Sequence, residues 1–453
     1  MSVSLVQIAP VAKAQREQSV QPHPPWMHIL EGDPPLLFLV NGSQLFQITP
    51  PMEGRLIQGD RELESQLRRL ACVSSQDHGT ETTLSPHRAV SLNLAQHCNL
   101  SCKYCYADEG RFGGTPKLMT QGVALQVIDQ LFTFPRSAGH VVIGFMGGEP
   151  FLNRPALYRA VEHARSLSLS KGVSVSFSVT TNATLLQSRD LDLLRDNGFS
   201  VTVSLDGTAD SKGGLRTSKD GSDSQQQAIS RIRPLLDRPG RARISARITI
   251  SRLDLRVTEK IEFLANLGFR DIGVSPLRTS PDPSLILNTE DWAIFLREMT
   301  RAGEIEWQRI KGGHDFRFAN MEIALKEIHR GSSRSLPCGA AKDYVSVDAE
   351  GNYFTCHRTI GDPRFVLGDL ESGPRPESRS VFLKSRHVDS QAPCSSCWAR
   401  YLCGGGCHAE VIQAGRQGCD YIRGWLTYCL RIYNQISLEK PRLLEQVTEL
   451  AHG

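Results

Sequence analysis

Between Val90 and about Pro276 the chain alternates short apolar runs with longer amphipathic ones. The short runs fall at 90–94, 141–145, 173–179, 200–205, 243–250 and 271–275 and read as strands. Between them, 119–133, 155–169, 184–197, 223–237 and 256–267 repeat apolar residues at helical spacing. Strand followed by helix, repeated, predicts an α/β architecture of parallel strands joined by crossover helices. Its ligand site should lie beyond the carboxyl ends of the strands.

The flanks read differently. Residues 26–85 form a unit of their own, beginning with the apolar runs Leu36–Val40 and Leu45–Ile48 on either side of Asn41-Gly42-Ser43-Gln44. Asn-Gly between apolar runs predicts a hairpin. Helical spacing follows at 52–58 and 60–72, with Leu63, Leu67, Leu70 and Ala71 on one side. Residues 73–87 read as a polar linker, and residues 1–25, polar and rich in Gln, Pro and Ser, as a flexible arm. The stretch 208–224, rich in Gly, Ser, Asp and Lys, reads as a mobile loop over the strand ends. Two helical patterns at 289–310 and 318–330 bridge to a cysteine-rich end.

Composition narrows the class. With 453 residues there is room for two or three domains, and 52 basic against 48 acidic side chains leave a formal charge of +4. That balance points away from nucleic acid bound through a general field. No apolar run approaches the roughly 20 residues of a membrane span, and no secretory pattern opens the chain. Twelve cysteines without an export signal, eight of them from Cys338 onward, imply metal or cluster ligation in a reducing, cytoplasmic setting rather than disulfides. Cys72 reads as a buried small hydrophobe.

Directly after the first strand come Cys98, Cys102 and Cys105, with three and then two residues between them. Such a loop can turn three thiolates onto one cubane cluster and leave the fourth iron without a protein ligand. The rival is a zinc site, with His97 as the extra ligand. The loop, with Tyr104 just before its last cysteine, resembles that of radical S-adenosylmethionine enzymes. In that family the open iron chelates the amino and carboxyl groups of S-adenosylmethionine. Its reductive cleavage gives a 5′-deoxyadenosyl radical that takes hydrogen from the substrate.

The resemblance implies a partial (β/α)6 TIM-like barrel at about 88–280, with site residues at the strand ends. Gly147-Gly148-Glu149-Pro150 after the second strand resembles the segment that contacts the methionine amino group. Adjacent glycines permit close backbone approach, and Glu149 can bind an ammonium. Thr181 and Asn182 resemble ribose contacts, Ser204 and Asp206 further cofactor and substrate contacts, and Arg247 is a carboxylate partner or else a strand-end salt bridge. Related enzymes carry a His-Asp pair early in the 208–224 loop, where this chain has Asp210-Ser211. The unit at 26–85 resembles a winged-helix peptide-recognition element, whose edge strand pairs with a leader peptide; the alternative is a cap without a ligand.

From Cys338 the spacing is Cys338-x12-Gly351-x4-Cys356, then Cys394-x2-Cys397-x5-Cys403-x3-Cys407, Cys419 and Cys429. A zinc ribbon needs two C-x2-C pairs, and this region has one. The pattern resembles the SPASM extension, which carries two auxiliary 4Fe–4S clusters, here over 333–437 after a helical bridge at 281–332 and before a tail at 438–453. Family topology implies Cys338, Cys356 and Cys407 for the first auxiliary cluster and Cys394, Cys397, Cys403 and Cys429 for the second. Cys419 is then the fourth ligand of the first, or free, leaving that cluster an open iron. With the loop cluster this makes three 4Fe–4S clusters and S-adenosylmethionine.

The segments Cys105–Gly114, Cys356-His357-Arg358 and Gly418–Cys429 resemble thioether-forming peptide maturases, in particular those acting on the small subunit of quinohemoprotein amine dehydrogenase. The implied reaction joins cysteine sulfur to a carbon beside an Asp or Glu carboxylate of a small Cys-containing polypeptide held by its leader. A reductase or flavodoxin-like protein would donate electrons. Asp206 and Glu149 are candidate bases. The sulfatase-maturing branch has an Asp where this chain has His357. The other readings are carbon–carbon or cyclophane cross-linking, side-chain oxidation, or a non-catalytic cluster protein serving as electron carrier or peptide scaffold.

Overall fold

The computed structural model describes residues 25–74, 87–133, 139–207 and 214–449. The expected arm, most of the linker, Asp210-Ser211, the end of the tail and the Cys72 side chain lie outside the described residues.

The first unit is an antiparallel meander, β1 (Met27–Leu30), β2 (Leu36–Leu39) and β3 (Gln44–Gln47), followed by α1 (Pro50–Ile57) and α2 (Arg61–Ser74). The hairpin expected at Asn41-Gly42 is β2–β3, its turn using φ of 80° at Gly42 and 47° at Ser43. One face of the meander makes a local core of Trp26, Met27, Ile29, Leu37, Leu39, Leu56, Leu63 and Leu67. The other face, Leu30, Leu36, Phe38 and Val40, belongs to the main core. The unit is therefore packed onto the body, with His28 stacked on Trp398 at 4.1 Å between ring centroids.

Six strand–helix units follow: β4 (Ala89–Ala95), α3 (Gln121–Thr133), β5 (His140–Gly147), α4 (Arg154–Lys171), β6 (Ser174–Thr181), α5 (Ser188–Asp196), β7 (Ser200–Ser204), α6 (Ser224–Asp237), β8 (Arg243–Ile250), α7 (Val257–Asn266), β9 (Ile272–Pro276) and α8 (Thr289–Lys311). β4 to β9 pair in order and in parallel. Alternate residues such as Leu92, Phe145, Phe177, Val201 and Ile248 are buried in the main core. Between them stand Gly144, Ser178, Thr202, Ser245 and Arg247, so the opposite face of the sheet is polar. The edge of β9 is covered by α9 (Ala319–His329), where the Asn320 amide pairs with both backbone groups of Val274 at 2.8 and 2.9 Å.

The sheet does not stop at six strands. The C-terminal region adds β10 (Tyr344–Val347) parallel to β4, then an antiparallel run of β11 (Tyr353–Phe354), β12 (Val366–Asp369) and β13 (Gly373–Pro374), making ten. Strands this short leave no periodic trace in the sequence. The remainder is α10 (Pro376–Arg386), α11 (Arg400–Cys403), α12 (His408–Ala414), α13 (Cys419–Glu439) and α14 (Pro441–Glu449). The segment read as a tail is thus helical as far as it is described, with Leu444 in the core. No helix among the described residues is long and apolar enough to cross a membrane.

Candidate active site and cysteine clusters

The loop after β4 is fixed from two sides. Gly147 has φ of 150°, and a Cβ there would meet the Ala95 carbonyl at 2.5 Å; one on Gly148 would meet the His97 carbonyl at 2.3 Å. The glycine pair therefore lets the β5 turn nest against the backbone of the cysteine loop. Gly148→Ala should destabilise the protein by about 1–3 kcal/mol through overpacking. A melting temperature equal to that of the unaltered protein would contradict this contact.

On the other side, residues 99–103 are laced to 215–219. Ser101 N–H donates to the Thr217 carbonyl at 2.8 Å, Lys103 N–H to Leu215 at 2.9 Å, and Lys219 N–H to Asn99 at 3.3 Å. The described part of the 208–224 loop is thus no free lid. It carries Arg216 into the site, where Nη1 donates to the Tyr104 hydroxyl at 2.9 Å and lies 3.9 Å from Asp206. Burial opposes the Arg216 charge, but Cys102, Asp206, Cys98 and Cys105 outweigh it and raise its pKa. The sequence alone does not single out Arg216, since the loop carries three cations, Lys212, Arg216 and Lys219.

Asp206 follows β7. It accepts from the Tyr104 hydroxyl and from Thr249 N–H at 2.8 Å. Burial raises its pKa, with Arg216 opposing. These partners make it a tie between strand ends and cysteine loop. Glu149 is fully buried: Oε1 accepts from Phe151 N–H (3.1 Å) and the Thr181 hydroxyl (2.8 Å), and Oε2 from Asn182 N–H (2.8 Å). Burial pushes its pKa up to about 7 against those hydrogen bonds. Asn182 also places Nδ2 3.6 Å from Cys98 Sγ. Pro150 continues the turn as the first residue of a short 3₁₀ segment, and Ser204 stands at the end of β7 opposite Arg247 in register.

Arg247 is not with this group. Its Nη1 pairs with Asp271 at 3.0 Å, just before β9, and its guanidinium fills the space beside Gly273, where a Cβ would lie 2.3 Å from Nη1. The strand-end salt bridge, not the carboxylate contact, is what forms. The missing side chain at Gly273 opens that route.

All eleven described cysteines are unpaired. Burial pushes Cys98 up to about 12 and raises Cys102, and each is raised further by its neighbours Cys102 and Cys105. The remaining thiols separate into two sets. Cys338 and Cys356 both feel Cys407, and Cys356 feels Cys338. Cys394 feels Cys403, Cys397 and Cys419, and Cys403 feels Cys397 and Cys419. Cys429 is fully buried in the main core, where burial alone raises its pKa and no thiol acts on it. Cys419 opens α13 and acts on thiols of the second set, whereas Cys429 lies about 15 Å further along the helix at 1.5 Å per residue.

Among the described residues no three His, Cys, Asp or Glu side chains are already arranged to hold a metal ion. The donor chemistry nevertheless suits iron–sulfur clusters. Soft thiolates are gathered where burial disfavours their charge, and a bound metal reverses that by deprotonating them. Arg216 supplies compensating charge at the first loop.

Tyr106 lies between the loop thiols and the first C-terminal set. Its hydroxyl is raised by desolvation and by Cys105, Cys356 and Cys407, with Arg358 opposing. The Arg358 guanidinium covers its ring at 4.5 Å and pairs with Glu410 at 3.1 Å, and Arg278 approaches the same carboxylate at 3.7 Å.

Comparison with known proteins agrees with this arrangement. Residues 92–238 match the radical SAM superfamily. The serine-type anaerobic sulfatase-maturating enzyme of Klebsiella aerogenes is 24% identical over 342 residues, covering 73% of this chain and 82% of that protein. Among solved structures, native anSMEcpe with bound AdoMet and Kp18Cys peptide superposes with a TM-score of 0.65 at 18% identity, over 78% of this chain and all of that one. Streptococcus suis SuiB gives 0.53 at 14% identity, over 86% and 96%. At such identities the superpositions establish the shared fold.

Proposed function

Since the chain is a radical SAM enzyme with a SPASM-like C-terminal region, we propose that it matures a peptide by forming thioether cross-links. Cysteine sulfur would be joined to a side-chain carbon next to an Asp or Glu carboxylate, in a small Cys-containing polypeptide such as the small subunit of a quinohemoprotein amine dehydrogenase. The observation that carries this reading is Tyr106, which follows Cys105 and sets its ring 6.3 Å from that of His357 and 4.5 Å under Arg358, the residues after Cys356, whose thiol is raised by burial and by Cys407 and Cys338. Three thiolates leave one iron of a 4Fe–4S cluster without a protein ligand, open to a substrate sulfur, beside the radical site. Peptide binding by anSMEcpe, a protein of the same fold, supports a peptide substrate.

When bound at Cys98, Cys102 and Cys105, the cluster and S-adenosylmethionine supply a carbon radical able to abstract hydrogen. The protein's part is binding and exclusion of water. Oε2 of Glu149 has accepted one hydrogen bond and retains capacity for the cofactor ammonium. Arg216 balances the thiolate charge, and its segment roofs the cysteine loop. Arg358, over the Tyr106 ring, and Arg278, over Trp292, share the Glu410 carboxylate, and their surplus positive charge would suit an acidic peptide side chain. The exposed edge strand β3, with Phe46 at its surface, would pair with the leader. Electrons would come from a reductase or flavodoxin-like donor. Side-chain oxidation of the sulfatase-maturing kind is the second reading, favoured by the Klebsiella relative and opposed by His357 at the position where that branch has its Asp.

The open position is tested by adding a Cys-containing peptide to the reduced, reconstituted protein. The peptide should alter one auxiliary EPR signal, and its Cys→Ser version should not; identical spectra would count against thioether chemistry at this site.

Glu149 gives a pH dependence. Its folded pKa, about 7, lies above the ordinary 4.5. The retained proton favours the fold fully below pH 4.5, and that contribution is lost as pH rises through about 7. Ammonium binding needs the ionised carboxylate, so cofactor affinity should weaken about tenfold per unit below pH 7. Equilibrium dialysis of S-adenosylmethionine at several pH values checks this, and Glu149→Gln should bind weakly without that slope.

A further inference from the structure

Among the buried side-chain nitrogens without a hydrogen-bond partner, two belong to residues of the C-terminal region that touch each other. Arg386, the last residue of α10, donates from Nε to Nδ1 of His408 at 3.1 Å. A guanidinium can only donate, so Nδ1 is the accepting nitrogen and the imidazole proton sits on Nε2. Nε2 of His408 and Nη2 of Arg386 are both buried donors without a partner. Only 8% of Arg386 and 2% of His408 is exposed. Phe382 packs edge-on against the imidazole at 5.1 Å, holding the pair in this orientation.

Such orphans are costly, and each buried donor in a native structure calls for an acceptor, whether water, ion or bound group. Their location says what. His408 directly follows Cys407 of the first thiol set, and Arg386 interacts electrostatically with both Cys394 of the second set and Cys407 of the first. Arg416 stands close by, tied to Gln391 and to the Gly405 carbonyl. Thiolate and cluster sulfur atoms are acceptors suited to N–H groups placed near two sets of thiols.

We propose that Arg386 and His408 donate N–H···S hydrogen bonds to the auxiliary clusters, Arg386 to both and His408 to the first, and so raise the reduction potentials of both couples. This rests on the three-cluster reading of the cysteines. Each couple takes up one electron and becomes more negative, and a donor or a cation beside sulfur favours that reduced state. Arg386 is then the shared link between the two sites, holding both couples within reach of an electron released during substrate oxidation. Neither residue touches substrate; they are positioning residues for the electron route.

The test is a redox titration of the reconstituted protein followed by EPR, with iron content measured for each variant. Arg386→Met should move both auxiliary potentials downward, His408→Phe only the first, and the cluster at Cys98, Cys102 and Cys105 should stay where it was. Unshifted auxiliary potentials at full iron content would overturn the inference and leave the three-cluster reading standing. Should a substitution cost the protein its clusters, the unaltered chain decides: isotopically labelled arginine and histidine nitrogen should each couple weakly to a reduced auxiliary cluster in ENDOR spectra. Absence of both couplings would overturn the proposal. Iron sufficient for one cluster only would defeat the three-cluster reading itself.

Discussion

Replacing Cys98, Cys102 and Cys105 together with Ala should leave a protein that holds about two-thirds of its iron yet cleaves no S-adenosylmethionine, because on the proposed three-cluster reading about twelve iron atoms are held and only about four of them belong to this loop. The C-terminal thiols are on separate segments, and their electrostatic neighbours are one another rather than Cys98 or Cys102. The loop itself is held by backbone contacts to 215–219 and to Gly147-Gly148, none of which uses a thiol. The variant should therefore fold and fill its auxiliary sites. Iron is measured by colorimetry and cleavage by 5′-deoxyadenosine release. Normal release by the triple variant would refute the radical site. No release by the unaltered, fully loaded protein would instead favour the non-catalytic reading, an electron carrier or peptide scaffold.

The second large effect separates two cysteines on one helix. Cys419→Ala should lose about one-third of the iron and one auxiliary EPR signal, whereas Cys429→Ala should keep all its iron and lose only about 1 kcal/mol of stability from a small buried void. Cys419 is the first residue of α13, where the helix N-terminus favours a thiolate, and it acts on Cys394 and Cys403. Cys429 is shut among Leu426, Leu430 and Ile432 in the core. Iron loss on replacing Cys429, with Cys419 dispensable, would restore the assignment implied by family topology.

That pair also shows what the sequence could and could not say. The family resemblance implies that the last cysteine joins the C-x2-C set, but Trp425, Leu426, Cys429, Leu430, Ile432 and Ile436 form a helical apolar stripe, a legible sign of core. The barrel strands were legible because apolar residues recur at alternate positions, as Val175, Phe177 and Val179 do on β6 and Ile244, Ala246, Ile248 and Ile250 on β8. β10 to β13 were not, since two to four residues show no period. Glu149, Thr181, Asn182, Asp206 and Tyr104 gather at the cysteine loop as expected for residues at strand ends. Arg216 escaped notice because its position comes from backbone pairing of its loop with residues 99–103, a contact that side-chain chemistry does not announce. Arg247 was drawn elsewhere by the absent side chain of Gly273 and the carboxylate of Asp271.

The most direct test of thioether formation is mass spectrometry of a small Cys-containing polypeptide encoded beside this chain and co-expressed with it. The product should be lighter by two hydrogens per cross-link, with the participating cysteines no longer open to alkylation and fragmentation joining sulfur to an Asp or Glu residue. An unchanged mass with every cysteine alkylated, from a protein that still cleaves S-adenosylmethionine, would contradict it.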